Sequence, residues 1–485
     1  MSSSKVKKLF SDSLIYGVAI IARSLSSIIL LPLYTRYLST EGYGVIELLS
    51  MTVDFAAIFF GARVGQSFLR YYGLASNEKE KSEVFSTSFS LLSFTHLVGA
   101  VLLIVFSTSI GALLFGGQEY HAVLVVFSLN LLFGGMSEIP LAWLRANGKA
   151  ASVLFFSLAK LVLQISLCVG LLVYLEWGVM GAALASVLAQ GTVAVLLTLY
   201  CIKSNKIILS KEMAKKLVGF SWPIILAAVS MFFITYGDRF FIRTYLTLSD
   251  VGIYALAYKF GFILYAIGWQ PFQSMWEAER YRIYKEESQH YLFPAIFSFM
   301  SVLLVFMAFG LSIWIGYFLQ LMSDQEFWPA AEYVPVIILG YVFLSWTGYC
   351  NLGIFTSGNT KVFGVSSMFT ALFCLVAYWL AIPSYGLMGA AVVTAIAFFV
   401  RFFVIHKLAK ARFNMKLNWY PAVSSLCLAS VLFWVNEIGV INTGNLFLSN
   451  VLVCFLFLIM LFVLKIVKVS DLKTVYSTVA KKAGA

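Results

Sequence analysis

Residues 220–246 read FSWPIILAAVSMFFITYGDRFFIRTYL, a run that is almost wholly apolar except for Asp238, Arg239 and Arg243. The run is long enough to cross a bilayer, because about 20 apolar residues in a helix span the hydrocarbon core. A charge at the centre of such a helix costs about 2.5–3.5 kcal/mol when it faces lipid. The central pair Asp238 and Arg239 therefore indicates either a buried ion pair or a water-filled cavity.

The whole chain shares this apolar character. Of its 485 residues 61% are hydrophobic and 12% are charged, whereas about a quarter of the residues of a soluble domain are charged. We therefore predict an all-α, multi-pass membrane protein with fourteen spans. The predicted spans are 14–38, 43–68, 84–106, 121–145, 151–175, 178–202, 220–246, 251–274, 290–318, 331–355, 361–382, 386–408, 419–436 and 446–467.

The basic residues test this count of spans. With fourteen spans, 26 of the 34 lysines and arginines fall in alternate loops and at the two termini. Cytoplasmic loops of membrane proteins carry an excess of lysine and arginine. We therefore predict that both termini are cytoplasmic and, because no signal-peptide cleavage site follows the basic N-terminus, that the first span is retained.

The sequence lacks the motifs of metal-binding proteins, nucleotide-binding proteins and hydrolases. The six cysteines and four histidines are not at metal-ligand spacings, and the cysteines fall in or beside apolar segments, as small buried side chains do. There is no phosphate-binding glycine loop and no hydrolase constellation. The sequence predicts no enzyme, no metal, no cofactor and no nucleic-acid partner.

Two pairs of segments repeat at one offset. YLSTEGYGVIEL from Tyr37 matches YLTLSDVGIYAL from Tyr245, and GVMGAA from Gly178 matches GLMGAA from Gly386; both offsets are 208 residues. Spans 1–6 therefore map onto spans 7–12. Because six is even, the two copies insert in the same orientation, as a parallel repeat about an axis along the membrane normal.

The repeat predicts how the chain is divided. We expect an N-terminal six-helix lobe over 1–202, a cytoplasmic linker over 203–219 and a C-terminal six-helix lobe over 220–408. Two further helices and a cytoplasmic tail fill 409–485. In transporters built from such repeats the substrate path runs between the halves, near the bilayer midplane.

Ten charged residues fall inside the predicted spans: the cations Arg23, Arg63, Lys160, Arg239, Lys259 and Arg401, and the acids Glu47, Asp54, Glu138 and Asp238. Arg63 and Arg401 lie near cytoplasmic span ends, where a long side chain can reach the interface. Glu47 is either buried or merely interfacial. The deeper cations either form buried ion pairs or line a wet cavity.

Depth and chemistry together suggest an anion site. Adjacent helical residues point about 100° apart, so we expect that Asp238 does not simply neutralise Arg239. Arginine can grip phosphate oxygens with two hydrogen bonds. The deep cations favour an anionic substrate; they are Arg23, Lys160, Arg239 and Lys259. The acids Asp54, Glu138 and Asp238 are candidates for coupling to protons or sodium, or for gating.

Two motifs resemble a known family. GDRFFI, followed after eight residues by VGIYALAYKFG, and LPLYTRYLSTEGYGVIEL near the N-terminus are similar to the signatures of the polysaccharide-export flippases. These belong to the multidrug/oligosaccharidyl-lipid/polysaccharide exporter superfamily. The resemblance covers most of the chain and is weakest over the last two spans.

The resemblance implies two six-helix lobes in a V and a flippase that works by alternating access through a cationic central cavity. It implies transfer of an undecaprenyl-diphosphate-linked oligosaccharide from the cytoplasmic to the periplasmic leaflet of a bacterial inner membrane, for surface polysaccharides such as O-antigen or exopolysaccharide. It assigns diphosphate contacts to Arg23, Arg239 and Lys259. Glycosyltransferases and a polysaccharide polymerase are the implied partners.

Three alternatives remain at this point. A multidrug exporter of the same superfamily, coupled to protons or sodium, would expel organic cations and would need an acidic or aromatic cavity. A flippase for the peptidoglycan precursor would share the anionic substrate. A membrane-embedded glycan polymerase or ligase would be expected to carry a large outer loop.

Overall fold

The computed structural model describes residues 29–61, 63–206, 208–357, 361–439 and 445–467. The regular structure of these residues is helical. The α-helices are α1 (Leu31–Tyr37), α2 (Thr40–Gly61), α3 (Val64–Leu74), α4 (Glu78–Val105), α5 (Ser107–Phe115), α6 (His121–Ala146), α7 (Ala150–Cys168), α8 (Gly178–Ile202), α9 (Lys211–Tyr245), α10 (Leu248–Ile263), α11 (Gln270–Lys285), α12 (Leu292–Met322), α13 (Ala330–Cys350), α14 (Leu352–Thr356), α15 (Lys361–Lys410), α16 (Trp419–Glu437) and α17 (Leu446–Val463). A π-helical turn extends α7 over Val169–Tyr174, and another joins α10 to α11 over Leu264–Trp269.

Apolar helices lie where the sequence predicts spans in the described parts of the chain. Within those parts of the chain, eleven helices are long and apolar enough to cross a bilayer, and a shorter apolar helix covers Phe447–Val463. The long helix α15 accounts for two predicted spans, which meet at Gly386. These helices together cover the second to the fourteenth predicted span. Most of the first one, 14–38, lies outside the described residues.

The chain forms two compact units, one ending at Ala255 and the other beginning at Leu256. In the first unit α6 packs against α4 and α8, while α9 packs against α2, α3 and α4. In the second unit α13 packs against α12 and α15, and α16 packs on α12. The lobe boundaries 1–202, 203–219 and 220–408 follow from the repeat and stay a prediction.

Two glycines of the repeat meet inside the first unit. A Cβ atom on Gly44 in α2 would overlap the carbonyl oxygen of Leu248, and one on Gly252 in α10 would overlap the carbonyl oxygen of Thr40. Gly252 lies 208 residues after Gly44, and Leu248 lies 208 residues after Thr40. The contact is therefore reciprocal between the two copies, and it requires glycine because the two backbones touch.

A second repeat pair shares a backbone conformation. Gly178 begins α8 with a φ of 52°, and Gly386, 208 residues later, has a φ of 57° at the kink of α15. This left-handed region is open to glycine at little cost and disfavours residues with a Cβ. The shared conformation at the predicted offset agrees with the repeat.

The second predicted span, 43–68, is not one helix. It is broken between α2 and α3 at Arg63, which has a φ of 54°. Gly61 just before the break lies against the ring of the buried His96 in α4. A non-glycine residue rarely adopts a positive φ, and nothing in the local composition marks Arg63 as one that does. The hydrophobic pattern therefore did not show the break.

We predict that Gly44→Ala lowers the thermal unfolding midpoint of the purified protein. The added methyl group meets backbone on the facing helix, which cannot rotate away as a side chain could, so the overpacking should cost about 1–3 kcal/mol. Gly316→Ala is the matched control, because a Cβ atom there meets no atom within 4 Å. An equal midpoint for the two variants would contradict the close approach of α2 and α10.

Candidate functional site

The charged pair near the end of α9 is a buried ion pair. The Arg239 Nη1 atom lies 2.8 Å from Asp238 Oδ1, and the two residues are 2% and 0% exposed. The expectation that Asp238 does not neutralise Arg239 was wrong. The same Asp238 oxygen also accepts the backbone N–H of Arg239 at 2.9 Å, because the carboxylate folds back along the helix.

Aromatic rings and a backbone carbonyl complete the surroundings of this pair. Arg239 Nη1 donates to the carbonyl oxygen of Thr235 at 3.1 Å. The guanidinium carbon lies 5.5 Å from the ring centroid of Tyr236 and 5.6 Å from that of Tyr254, within the range of cation–π attraction. Tyr254 also lies beside the Asp238 carboxylate. The rings of Tyr236 and Tyr254 thus lie against the guanidinium of the buried pair.

A second acid belongs to the same region. Glu47 in α2 is only 8% exposed, so the interfacial alternative for it was wrong. It lies beside Tyr43, whose ring centroid is 6.4 Å from that of Tyr34. The Tyr34 hydroxyl contacts the Cys168 thiol at 3.7 Å. Side chains of α1, α2 and α7 thus contact one another beside Arg239 of α9.

The remaining candidates are spread over both units. Asp54 is exposed on α2, and the hydroxyl of Tyr236 lies in the electrostatic field of Asp54 as well as of Arg239. Glu138 in α6 is partly buried with its carboxylate against Gly65 of α3. The structure therefore groups Asp54, Asp238 and Arg239, and it seats Glu138 against α3.

Three predicted cations take different positions. Arg23 lies outside the described residues. Lys160 in α7 and Lys259 in α10 are both partly buried, and Lys259 belongs to the second unit. The assignment of these three residues to substrate binding stays a prediction.

Two arginines are more deeply buried than the sequence suggested. Arg401 in α15 is 4% exposed and donates to the Ser367 hydroxyl at 3.2 Å, so the expectation that it reaches the interface was wrong. Arg280, predicted in a cytoplasmic loop, is 5% exposed and donates to Asn351 Oδ1 at 2.6 Å. The first contact joins the two parts of α15 on either side of Gly386, and the second joins α11 to the turn between α13 and α14.

Sequence reasoning gave no role to three tyrosines of the site, Tyr34, Tyr43 and Tyr254. A signal was present, because Tyr43 precedes Gly44 directly and Tyr254 follows Gly252 by two residues. Residues beside the glycines where α2 and α10 touch lie close to the facing helix, so Tyr43 and Tyr254 could have been chosen as site candidates.

The C-terminal turn of α9, one turn beyond the ion pair, makes further polar contacts. Arg243 Nε donates to the Leu114 carbonyl oxygen at 2.8 Å, at the C-terminus of α5. The Tyr120 hydroxyl donates to Glu41 at 3.1 Å. Glu41 and Arg243 line one cavity of about 290 Å³ together with residues 246–249. This end of the unit thus combines a fixed cation and a fixed carboxylate around an open space.

Comparisons with known proteins place this geometry in a family. Residues 33–331 match the model of a family described as "Polysaccharide biosynthesis protein", which is more than half of the chain. The chain is 23% identical over 378 residues to the "Putative O-antigen transporter" of Shigella flexneri, covering 74% of this chain and 87% of the relative. It is also 23% identical over 265 residues to the "Lsg locus putative protein 1" of Haemophilus influenzae. That match covers 53% of this chain and 62% of the relative, so it spans less than two thirds of that protein.

Solved structures show the fold. A lipid II flippase, MurJ, in its inward closed conformation superposes with a TM-score of 0.73 over 95% of this chain and 100% of that one, at 15% identity. An inward-facing multidrug resistance transporter of the MATE family superposes with a TM-score of 0.64 over 81% of this chain and 95% of that one, also at 15% identity. The predicted exporter fold is confirmed.

We predict that Asp238→Asn and Arg239→Gln each destabilise the protein by about 3–5 kcal/mol, because each leaves one charge buried without its counter-ion. The double variant should lose clearly less than the sum of the two single losses. The measurement is the unfolding free energy in detergent. Arg36→Gln, at an exposed position, is the control and should change it by less than about 0.5 kcal/mol. Strictly additive losses would show that the two side chains do not interact.

Proposed function

The chain belongs to the family of polysaccharide biosynthesis proteins, and from this premise we propose that it is a flippase for lipid-linked glycans. The proposed substrate is an undecaprenyl-diphosphate-linked oligosaccharide, moved from the cytoplasmic to the periplasmic leaflet of a bacterial inner membrane. The observation that carries the proposal is the family match across residues 33–331 of a multi-pass helical protein. The O-antigen transporter named among the relatives supports it.

The diphosphate sets the physical problem. Two phosphate groups lose hydration when they leave water, so the path needs cations that replace the lost contacts. In the proposal Lys160 and Lys259, which are partly buried, meet the phosphates, and Arg23 adds a third contact. Charge-assisted hydrogen bonds of this kind are each worth about 1.5–3 kcal/mol. The lipid tail stays in the bilayer throughout.

The buried ion pair suggests how binding is coupled to protons. In the state described here Asp238 holds Arg239 at 2.8 Å. We propose that a proton on Asp238 removes that attraction and frees the guanidinium to bind a phosphate group. Asp54, exposed on α2, and Glu138 are the other proposed coupling or gating groups, with protons or sodium as the coupling ion.

The membrane potential supplies a driving force in the same direction. A negative interior favours outward movement of an anion by about 2.3 kcal/mol per charge at 100 mV. A diphosphate with two charges gains about twice that amount. Alternating access then needs no further energy source, and coupling through Asp238 would set the order of events.

The proposal also places the protein in a sequence of reactions. Glycosyltransferases on the cytoplasmic side would supply the lipid-linked glycan, and a polymerase on the periplasmic side would consume it. The termini are proposed to be cytoplasmic, as the loop charges predict. The multidrug exporter and the peptidoglycan-precursor flippase gain support only from a fold shared at 15% identity, so neither is proposed here.

We predict that Lys160→Gln and Lys259→Gln each slow transfer of a labelled undecaprenyl-diphosphate oligosaccharide in proteoliposomes by about tenfold or more, which corresponds to the loss of one charge-assisted contact. Arg23→Ala and Arg239→Ala should slow it as well. Lys410→Gln at an exposed position is the matched control. Thermal midpoints measured in parallel separate a lost contact from a lost fold. Transfer at the wild-type rate in Lys160→Gln, Lys259→Gln and Arg23→Ala would remove the binding assignment.

A further inference from the structure

A basic surface lies at the start of α9 and in the segment before it. Residues 203–216 contain five lysines and one glutamate. We call the five lysines, all exposed, the lysine surface: Lys203, Lys206, Lys211, Lys215 and Lys216. Glu212 pairs with Lys216 at 2.8 Å, so four lysines keep their charge available to a partner.

Buried hydroxyls hold this segment against α4. Ser86 Oγ donates to the Lys206 carbonyl oxygen at 2.8 Å. Thr87 Oγ1 accepts the Ser210 backbone N–H at 3.1 Å. Ser86 and Thr87 are each 5% exposed, and Ser210 in turn caps α9 by accepting the Met213 N–H at 3.2 Å. The lysines are therefore presented by a fixed backbone.

The lysine surface continues into an apolar stripe along α9. Lys211, Lys215, Val218, Trp222 and Leu226 follow one another at spacings of four, three, four and four, so they share one helix face. Val218, Trp222 and Leu226 are 40%, 70% and 56% exposed. Along this face the two lysines come first, and the exposed apolar side chains of Val218, Trp222 and Leu226 follow. Charge followed by apolar surface is also the order of phospholipid headgroup and hydrocarbon across a leaflet.

We propose that the lysine surface is a binding site for anionic phospholipid headgroups. Clusters of four to eight basic residues next to a membrane span attract anionic lipids, and each lysine contributes independently near the surface. Trp222 fixes the depth of α9 at the interface, which places Lys211 and Lys215 at headgroup level. The side is the one that the loop charges predict to be cytoplasmic. The proposal does not depend on what the protein transports.

The test uses the full-length protein in nanodiscs of phosphatidylcholine, with and without phosphatidylglycerol. The variant replaces Lys203, Lys206, Lys211 and Lys215 by glutamine. The matched control makes the same charge change on exposed lysines of the second unit: Lys285, Lys407, Lys410 and Lys416. Two quantities are measured, the thermal midpoint and the number of phosphatidylglycerol molecules retained by native mass spectrometry.

We expect phosphatidylglycerol to raise the midpoint of the wild-type and control proteins and to be retained by both. In the variant of the lysine surface the affinity for phosphatidylglycerol should fall at least tenfold. In phosphatidylcholine alone all three proteins should have the same midpoint. High salt should reduce the wild-type effect, because screening weakens exposed charges.

Equal retention of phosphatidylglycerol by the wild-type protein and the variant would overturn the proposal, and it would leave these lysines only a role in membrane topology. An equal loss in the control would overturn it too, because the effect would then belong to total charge. If the fourfold variant does not fold, Lys211→Gln with Lys215→Gln replaces it, with Lys407→Gln and Lys410→Gln as its control.

Discussion

Hydrocarbon offers no hydrogen-bond partner, so each polar group of a membrane-spanning chain must find its partner within the protein. The backbone meets this constraint by forming helices, and the described regular structure is helical throughout. The charged side chains meet it locally. Asp238 and Arg239 are neighbours in sequence and neighbours in space, and Tyr236 and Tyr254 close the remaining sides. Arg239 thus pairs with the adjacent Asp238, although adjacent residues of an ideal helix point about 100° apart.

Features that depend on neighbouring residues in the sequence could be predicted. Features that depend on packing between distant helices could not. Spans such as 220–246 are a property of local composition, so apolar length alone located α9 within a few residues at its C-terminal end. The repeat was recognisable in the sequence partly because both copies have glycine at the equivalent positions 44 and 252. A Cβ atom at either position would overlap the facing backbone. Arg401 and Glu47 were misjudged because burial depends on the neighbouring helices, which a single sequence does not show. The break at Arg63 depends on one dihedral angle.

The candidate site combines groups of two kinds. Arg239 is sealed with its counter-ion, whereas Lys160 and Lys259 are only partly buried. Breaking a buried ion pair leaves one charge without its counter-ion, which costs about 3–5 kcal/mol. The two lysines are the groups that we propose to contact the phosphates of the substrate. The sequence could give the residue types and their approximate depth, but only the structure shows that Asp238 pairs with Arg239.

The contact between Gly44 and Gly252 resembles an isologous interface, in which residue i meets j of the partner and residue j meets i. Thr40 and Leu248 exchange the same contact, as two identical six-span subunits related by a twofold axis would. Because the two copies are joined in one chain, their sequences need not be identical. The counterparts of Asp238 and Arg239 at the repeat offset are Leu30 and Leu31, and that of Glu47 is Ala255. A homodimer would have had to bury each of these charges twice, whereas the fused chain confines them to one copy and can work with an asymmetric interior.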